Sequence, residues 1–180
     1  MEGRVLVAYA SRTGTAAEVA EALAQVLRRL GFTVDVRSVQ EVHDLGPYGA
    51  VVLGSAAQRN RLLPEAVSFA RRHEAALRSL KVAFFAVGMT MQEDTPAHRA
   101  LMLAYLAPLL QIMEPVSVGL FAGRLEYAQI RQPWRLLFGS AGLAEGDYRN
   151  WQAIRAWAQE VALELEPAGD DDNEQEGLNE

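Results

Sequence analysis

Cysteine is missing from all 180 residues. The chain therefore has no disulfide framework, no thiolate metal site and no thiol redox chemistry. Histidine is scarce. His43, His73 and His98 stand far apart and without the spacing of metal ligands, so no metal is expected. Long apolar runs are lacking too. The longest, from Ala100 to Met113, is shorter than the roughly 20 residues a bilayer span requires and contains Pro108. The opening "MEGRVLVAYA" carries an early acid and no leader-like apolar core with a cleavage site, which predicts a cytoplasmic protein.

A body of one charge sign is also absent. The net charge of −6 comes from the end of the chain, where residues 164–180 hold eight carboxylates and no base. Without them 15 acidic residues face 17 basic ones, close to neutral. Nucleic-acid binding, which needs a basic face, is excluded on that ground. After Pro167 the chain is apolar-poor and acidic, the composition of a disordered, solubilising tail. The expected division is one domain over residues 1–166 and a tail over 167–180.

Half of the residues are apolar, enough for one well-packed core. Arg4–Ala10 reads as a buried strand. Val19, Leu23, Val26, Leu27 and Leu30 then recur at helical spacing until Gly31. Further strands are expected at Phe32–Ser38, Ala50–Ser55, Lys81–Gly88 and Pro115–Ala122. Helices are expected from Pro64 to about Ser79, from Pro96 to Met113 with a bend at Pro108, and from about Asn150 to Leu165. Five buried strands alternating with helices predict an α/β fold: a doubly wound, five-stranded parallel sheet of order 2-1-3-4-5 with helices on both faces. In that order the ligand crevice lies at the carboxyl ends of the first, third and fourth strands. Three loops then matter: Ala10–Ala16, Ser55–Leu63 and Gly88–Thr95.

The first loop, "ASRTGTA", offers hydroxyls from Ser11, Thr13 and Thr15 around Gly14, which lets the backbone turn tightly before a helix. Free amides and the positive end of that helix suit an anion. The lysine and second glycine of a nucleoside-triphosphate loop are absent, as are the three glycines of a dinucleotide loop. Neutral hydroxyl donors without lysine fit a phosphomonoester; an ordinary polar turn with a hydroxyl N-cap is the plainer alternative.

These residues resemble the phosphate loop of the flavodoxins, with its hydroxyl-x-hydroxyl-Gly-x-Thr pattern and its ligand flavin mononucleotide (FMN). Ser11, Thr13 and Gly14 match, Thr15 stands where Asn is frequent, and Ala16 replaces the final Thr. The stretch from Val51 to Met89, the "AGRLEY" piece at residues 122–127 and the Trp-initiated last helix are similar to the flavodoxin-type, quinone-dependent protoporphyrinogen IX dehydrogenases. The resemblance covers about residues 4–163. It implies FMN as cofactor, with Ser11, Arg12, Thr13, Gly14, Thr15 and Ala16 at its phosphate and Ser55, Ala56, Gln58, Arg59, Gly88 and Met89 along its ring. No catalytic residue is assigned, because a flavin supplies its own redox chemistry.

The second loop carries no aromatic residue between Ser55 and Leu63 to stack on a flavin. An arginine there, Arg59 or Arg61, would stabilise an anionic reduced ring, although both also suit a solvated loop. In the third loop Met89 and Met91 are either ring contacts or core. Beyond the fifth strand, Arg124, Arg131 and Arg135 interleave with Tyr127, Ile130, Trp134 and Phe138. Such a piece suits a membrane surface, the entrance for a large flat substrate, or a lid with its arginines in solvent. Arg124, Tyr127, Arg131 and Trp134 are the expected border of a substrate entrance. Expected partners are a quinone or porphyrinogen substrate or a protein redox partner, with peripheral membrane contact and a homodimer left open. Two functional readings stand: an FMN-dependent oxidoreductase of the dehydrogenase type, and a flavodoxin-like electron carrier without a small substrate. A relative that has lost its flavin is a third.

Overall fold

The computed structural model describes residues 4–126 and 144–165. The acidic tail expected from residue 167 lies outside the described residues, as do Tyr127, Arg131 and Trp134.

Val5, Leu6, Val7 and Ala8 of the first strand, β1 (Arg4–Ala10), are all buried. A strand covered on both faces is the mark of a parallel sheet's centre. It pairs in parallel with β2 (Thr33–Ser38) on one side and β3 (Ala50–Gln58) on the other. Beyond β3 come β5 (Lys81–Val87) and β6 (Ser117–Phe121), giving the order β2-β1-β3-β5-β6. This is the expected doubly wound order, with a short β4 (Arg61–Leu62) added antiparallel to β3.

The first helix, α1 (Thr15–Arg29), buries Val19, Leu23, Val26 and Leu27 on one stripe. It stops at Gly31 with φ +99°, and the amides of Gly31 and Phe32 bond back to the carbonyls of Arg28 and Leu27. That closure needs a left-handed residue, which glycine adopts without steric cost. The chain winds one way from β1 to β2 and the other way from β3 to β6. Right-handed crossovers therefore place α1 on one face, and α2 (Pro64–Arg72) and α4 (Pro96–Leu110) on the other. The last helix, α5 (Trp151–Leu165), packs beside α1. Asn150 caps it, accepting from the amide of Ala153 at 3.0 Å. Trp157 on its buried face donates to Ser117 Oγ at 2.9 Å, satisfying the indole as it enters the core.

Three boundaries differ from the sequence expectation. The helix expected from Pro64 to Ser79 is broken into α2 and α3 (Glu74–Leu77) at His73, with φ −106°. At this break the His73 ring packs 4.7 Å from the Phe69 ring one turn earlier. The third strand runs on to Gln58 instead of ending at Ser55, because β4 folds back and pairs with it. The irregular stretch after Ala122 opens and closes on a two-stranded ribbon, β7 (Arg124–Leu125) against β8 (Gly146–Asp147). In α4, Pro108 falls in the last turn, so its missing amide removes one bond near an end the helix reaches two residues later.

Candidate functional site

Strand register assembles the site. Ala10 stands opposite Ser55, Ala56 opposite Val87, and Val87 opposite Phe121. β1, β5 and β6 thus end within a residue of one level, β3 runs on past it into its hairpin, and the segments that follow share one rim.

Ser11–Gly14 form the turn from β1 into α1. Gly14 has φ +84°, and Ser11 Oγ accepts its amide at 3.1 Å. The serine proton remains available to a ligand. Thr13 and Thr15 hydroxyls lie 3.3 Å apart, so one donates to the other and the second proton is left to point elsewhere. No side chain caps α1. The first-turn amides of Thr15, Ala16 and Ala17 precede the first intrahelical bond, from Glu18 N to Gly14 O. Uncapped amides, hydroxyl protons and the helix dipole together form a cradle suited to an anion. Ala16 is fully buried and Thr15 nearly so, which seats the turn firmly on the core. Arg12 is tied to Glu65 at the start of α2 at 3.2 Å. The other oxygen of that carboxylate, Oε2, is buried and has no partner among the described residues.

The expected second loop is a β-hairpin. Gln58 pairs with Arg61, leaving Arg59 and Asn60 as a two-residue turn, with φ +52° and +60°. Its base is braced by Ser55, only 1% exposed, whose Oγ donates to Ala56 O at 2.8 Å and accepts Leu63 N at 3.1 Å. Ser55 thus uses its proton inside the chain. Ala56 and Gln58 continue the strand, and Arg59 is at its tip. The third segment starts at Gly88, whose amide bonds Phe121 O. A Cβ on Gly88 would meet Ala57 Cβ at 3.0 Å, so glycine is what allows this segment and the hairpin to touch. Met89 begins a 3₁₀ turn (Met89–Gln92) and is half-buried; Met91 is core.

Arg124 is on β7. It pairs with Glu126 at 2.9 Å and with Glu18 of α1 at 3.4 Å. Sequence reasoning missed its neighbour Arg149, whose side chain is 4% exposed. Arg149 bonds Glu18, pairs with Asp147 at 2.6 Å, and lies over the Trp151 ring at 4.4 Å. The hydrogen bond from Arg149 holds the Asp147 carboxyl below the usual carboxylate range and outweighs partial desolvation. The same bond raises the Arg149 pKa. Glu18 sits one turn into the helix that follows the hydroxyl turn, so these two arginines anchor the ribbon to it. Tyr105, also missed, donates to Asn60 Oδ1 at 3.1 Å from α4. Neither contact has a local sequence signal, since the partners lie 131 and 45 residues apart. Among the described residues no His, Asp and Glu cluster could hold a metal ion.

A doubly wound sheet of this order, with an anion cradle after its first strand, defines a mononucleotide-binding α/β domain. The family model described as Flavodoxin domain matches residues 6–138, and the chain belongs to that family. The chain is similar to a protoporphyrinogen IX dehydrogenase [quinone] of Escherichia coli (strain K12), at 24% identity over 88% of this chain and 94% of that protein. Among solved structures, a Streptococcus pneumoniae TIGR4 flavodoxin has a TM-score of 0.57 at 17% identity, covering 91% of this chain and 100% of its own. A Fusobacterium nucleatum flavodoxin variant bound to flavin mononucleotide has a TM-score of 0.55 at 12% identity, covering 92% and 99%.

Proposed function

We propose that this protein is an FMN-dependent oxidoreductase, with the phosphate of FMN in the turn Ser11–Ala16. The observation that carries this reading is the uncapped first turn of α1, opening between hydroxyls at the carboxyl ends of the strands. Its donors are neutral apart from Arg12, which already has a carboxylate partner. The ring would lie along the rim between the β3–β4 hairpin and Gly88–Met89. When bound, the flavin supplies one- or two-electron transfer; the chain binds, orients and shields it.

The finer reading is oxidation of protoporphyrinogen IX with a quinone as acceptor. Similarity to the Escherichia coli enzyme over nearly its whole length supports it. So does an arginine at the hairpin tip, where a carrier docking basic partners would favour carboxylates. Arg124, Tyr127, Arg131 and Trp134 would border the substrate entrance, offering apolar area to a flat ring and cations to carboxylates. Among the described residues no helix is long and apolar enough to cross a membrane, so a lipid-soluble quinone would be met at a membrane surface.

Reconstitution with FMN followed by steady-state assays tests both levels. A yellow, stoichiometric complex that oxidises protoporphyrinogen IX with a quinone is expected. Arg131→Ala combined with Trp134→Ala should keep the flavin and slow turnover. Failure to bind FMN removes the whole reading. A flavin-loaded protein that accepts electrons from a ferredoxin-type reductase but turns over neither small molecule is an electron carrier instead.

A further inference from the structure

The hairpin tip is built against the grain of its residues. A two-residue hairpin turn of type I′ needs φ > 0 at both positions, and Asn-Gly is the sequence that meets this without strain. Here the pair is Arg59-Asn60, at +52° and +60°. Asn tolerates the left-handed region; Arg, with its long side chain, gains nothing there and carries the ordinary penalty. Strain of this kind persists only where the surroundings over-determine the conformation.

Three contacts among the described residues contribute to this. Ser55 pins the base through Leu63 N. Ala57 is pressed against Gly88, where even a methyl group would have to displace it. At the tip, the Tyr105 hydroxyl reaches from α4 to Asn60 Oδ1. Tyr105 is half-buried and packs on the core, so it is a fixed post for a turn that would otherwise relax.

We propose that Tyr105 is a positioning residue for the FMN site: by holding Asn60 it keeps the strained turn in place and fixes Arg59 at the rim where the flavin ring would lie. The proposal rests on the FMN reading. A fixed cation beside the ring favours the anionic reduced flavin, and a tip free to swing into water loses much of that effect. Tyr105 itself acts through Asn60 and Arg59 and transfers no electron or proton.

A double-mutant cycle between Tyr105→Phe and Asn60→Gly tests it by two readouts. The first is urea unfolding of the protein without flavin. Tyr105→Phe should raise the unfolding constant roughly three- to tenfold in the parent and less than about twofold beside Asn60→Gly, because the acceptor is gone. Asn60→Ala, which loses the bond and keeps the strain, should be less stable than Asn60→Gly. The second readout is the midpoint potential of bound FMN. Each single change should weaken the preference for reduced flavin about three- to tenfold, a drop of roughly 15 to 30 mV for a two-electron couple. The double variant should fall no further.

Absence of coupling in unfolding overturns the tether. Coupling with an unchanged potential overturns the positioning role, leaving a purely structural bond. Should the unaltered protein take up no FMN, the FMN reading fails and the positioning role fails with it. The unfolding cycle then still decides whether Tyr105 holds the turn.

Discussion

Gly14 allows the cradle to be tested through backbone geometry alone. It stands at φ +84° and ψ −10°, and a Cβ placed there would meet nothing within 4 Å. A side chain at this position therefore causes no clash, and the cost of substitution is conformational. A left-handed residue with a Cβ pays about 1–2 kcal/mol, Asn pays less, and a β-branched residue pays more because both its backbone and χ1 are confined. If the folded chain keeps the turn without ligand, Gly14→Ala should lower Tm by roughly 3 to 6 °C for a domain of this size. If the loop relaxes instead, Tm holds and the amides of Thr15 and Ala16 turn away from the phosphate. The dissociation constant for FMN then rises about tenfold, the equivalent of roughly 1.4 kcal/mol. By whichever route applies, Gly14→Val should lose more than alanine does, and Gly14→Asn should lie between glycine and alanine. Isothermal titration with FMN beside thermal melts of the free variants separates the two routes. A valine variant with parental affinity and parental Tm would refute the reasoning, because the phosphate would then have to sit elsewhere.

Ser55→Ala leaves Leu63 N with a longer bond to Ala56 O at 3.2 Å, so we expect a loss of about 1–2 kcal/mol in urea unfolding; an unchanged midpoint would mean the brace is idle. Gly54→Ala would bring a methyl within 1.9 Å of the buried Phe85 ring, beyond what repacking absorbs, and should cost about 3 kcal/mol or more, with partial rescue by Phe85→Leu; a normal melt refutes it. Arg149→Gln removes a buried cation, but its partners are 40% and 47% exposed, so the loss at neutral pH should be about 1–2 kcal/mol, below that of a fully buried pair. Because Arg149 depresses the Asp147 pKa in the folded state, this stability is present above the ordinary carboxylate range and is lost as pH falls through the lower folded value. The gap between parent and Arg149→Gln should therefore close on acidification, and a gap constant with pH would exclude ionisation of Asp147 as its source.

The layered fold was legible because its signals are local. Leucine and valine at helical spacing in α1, Gly31 after it, and continuous apolar runs in β1 and β5 each fix one element, and alternation then fixes the topology. The tight hydroxyl turn before α1 was legible for the same reason: its hydroxyls and glycine are neighbours in the chain. The hairpin was not. "RNR" lacks the Asn-Gly or Asp-Gly pair that marks a two-residue turn, and its formation depends on Ser55, Gly88 and Tyr105, three residues on three different elements. Arg149 was hidden by distance, since nothing around "DYRNW" says that its guanidinium closes on Glu18. The break at His73 was invisible likewise, because Phe69 and His73 keep helical spacing across it.

The long reach of Glu18 has a consequence for biosynthesis. The hydroxyl turn leaves the ribosome well before the two arginines that anchor its helix, which lie 106 and 131 residues after Glu18, and α5, which packs beside α1, comes later still. At about 5–20 residues per second, the turn at Gly14 waits roughly 7 to 27 s before Arg149 has been made. Nascent chains stalled before that point would carry the whole hydroxyl loop and still lack its footing. The footing of that loop is thus acquired only after more than a hundred further residues have been made.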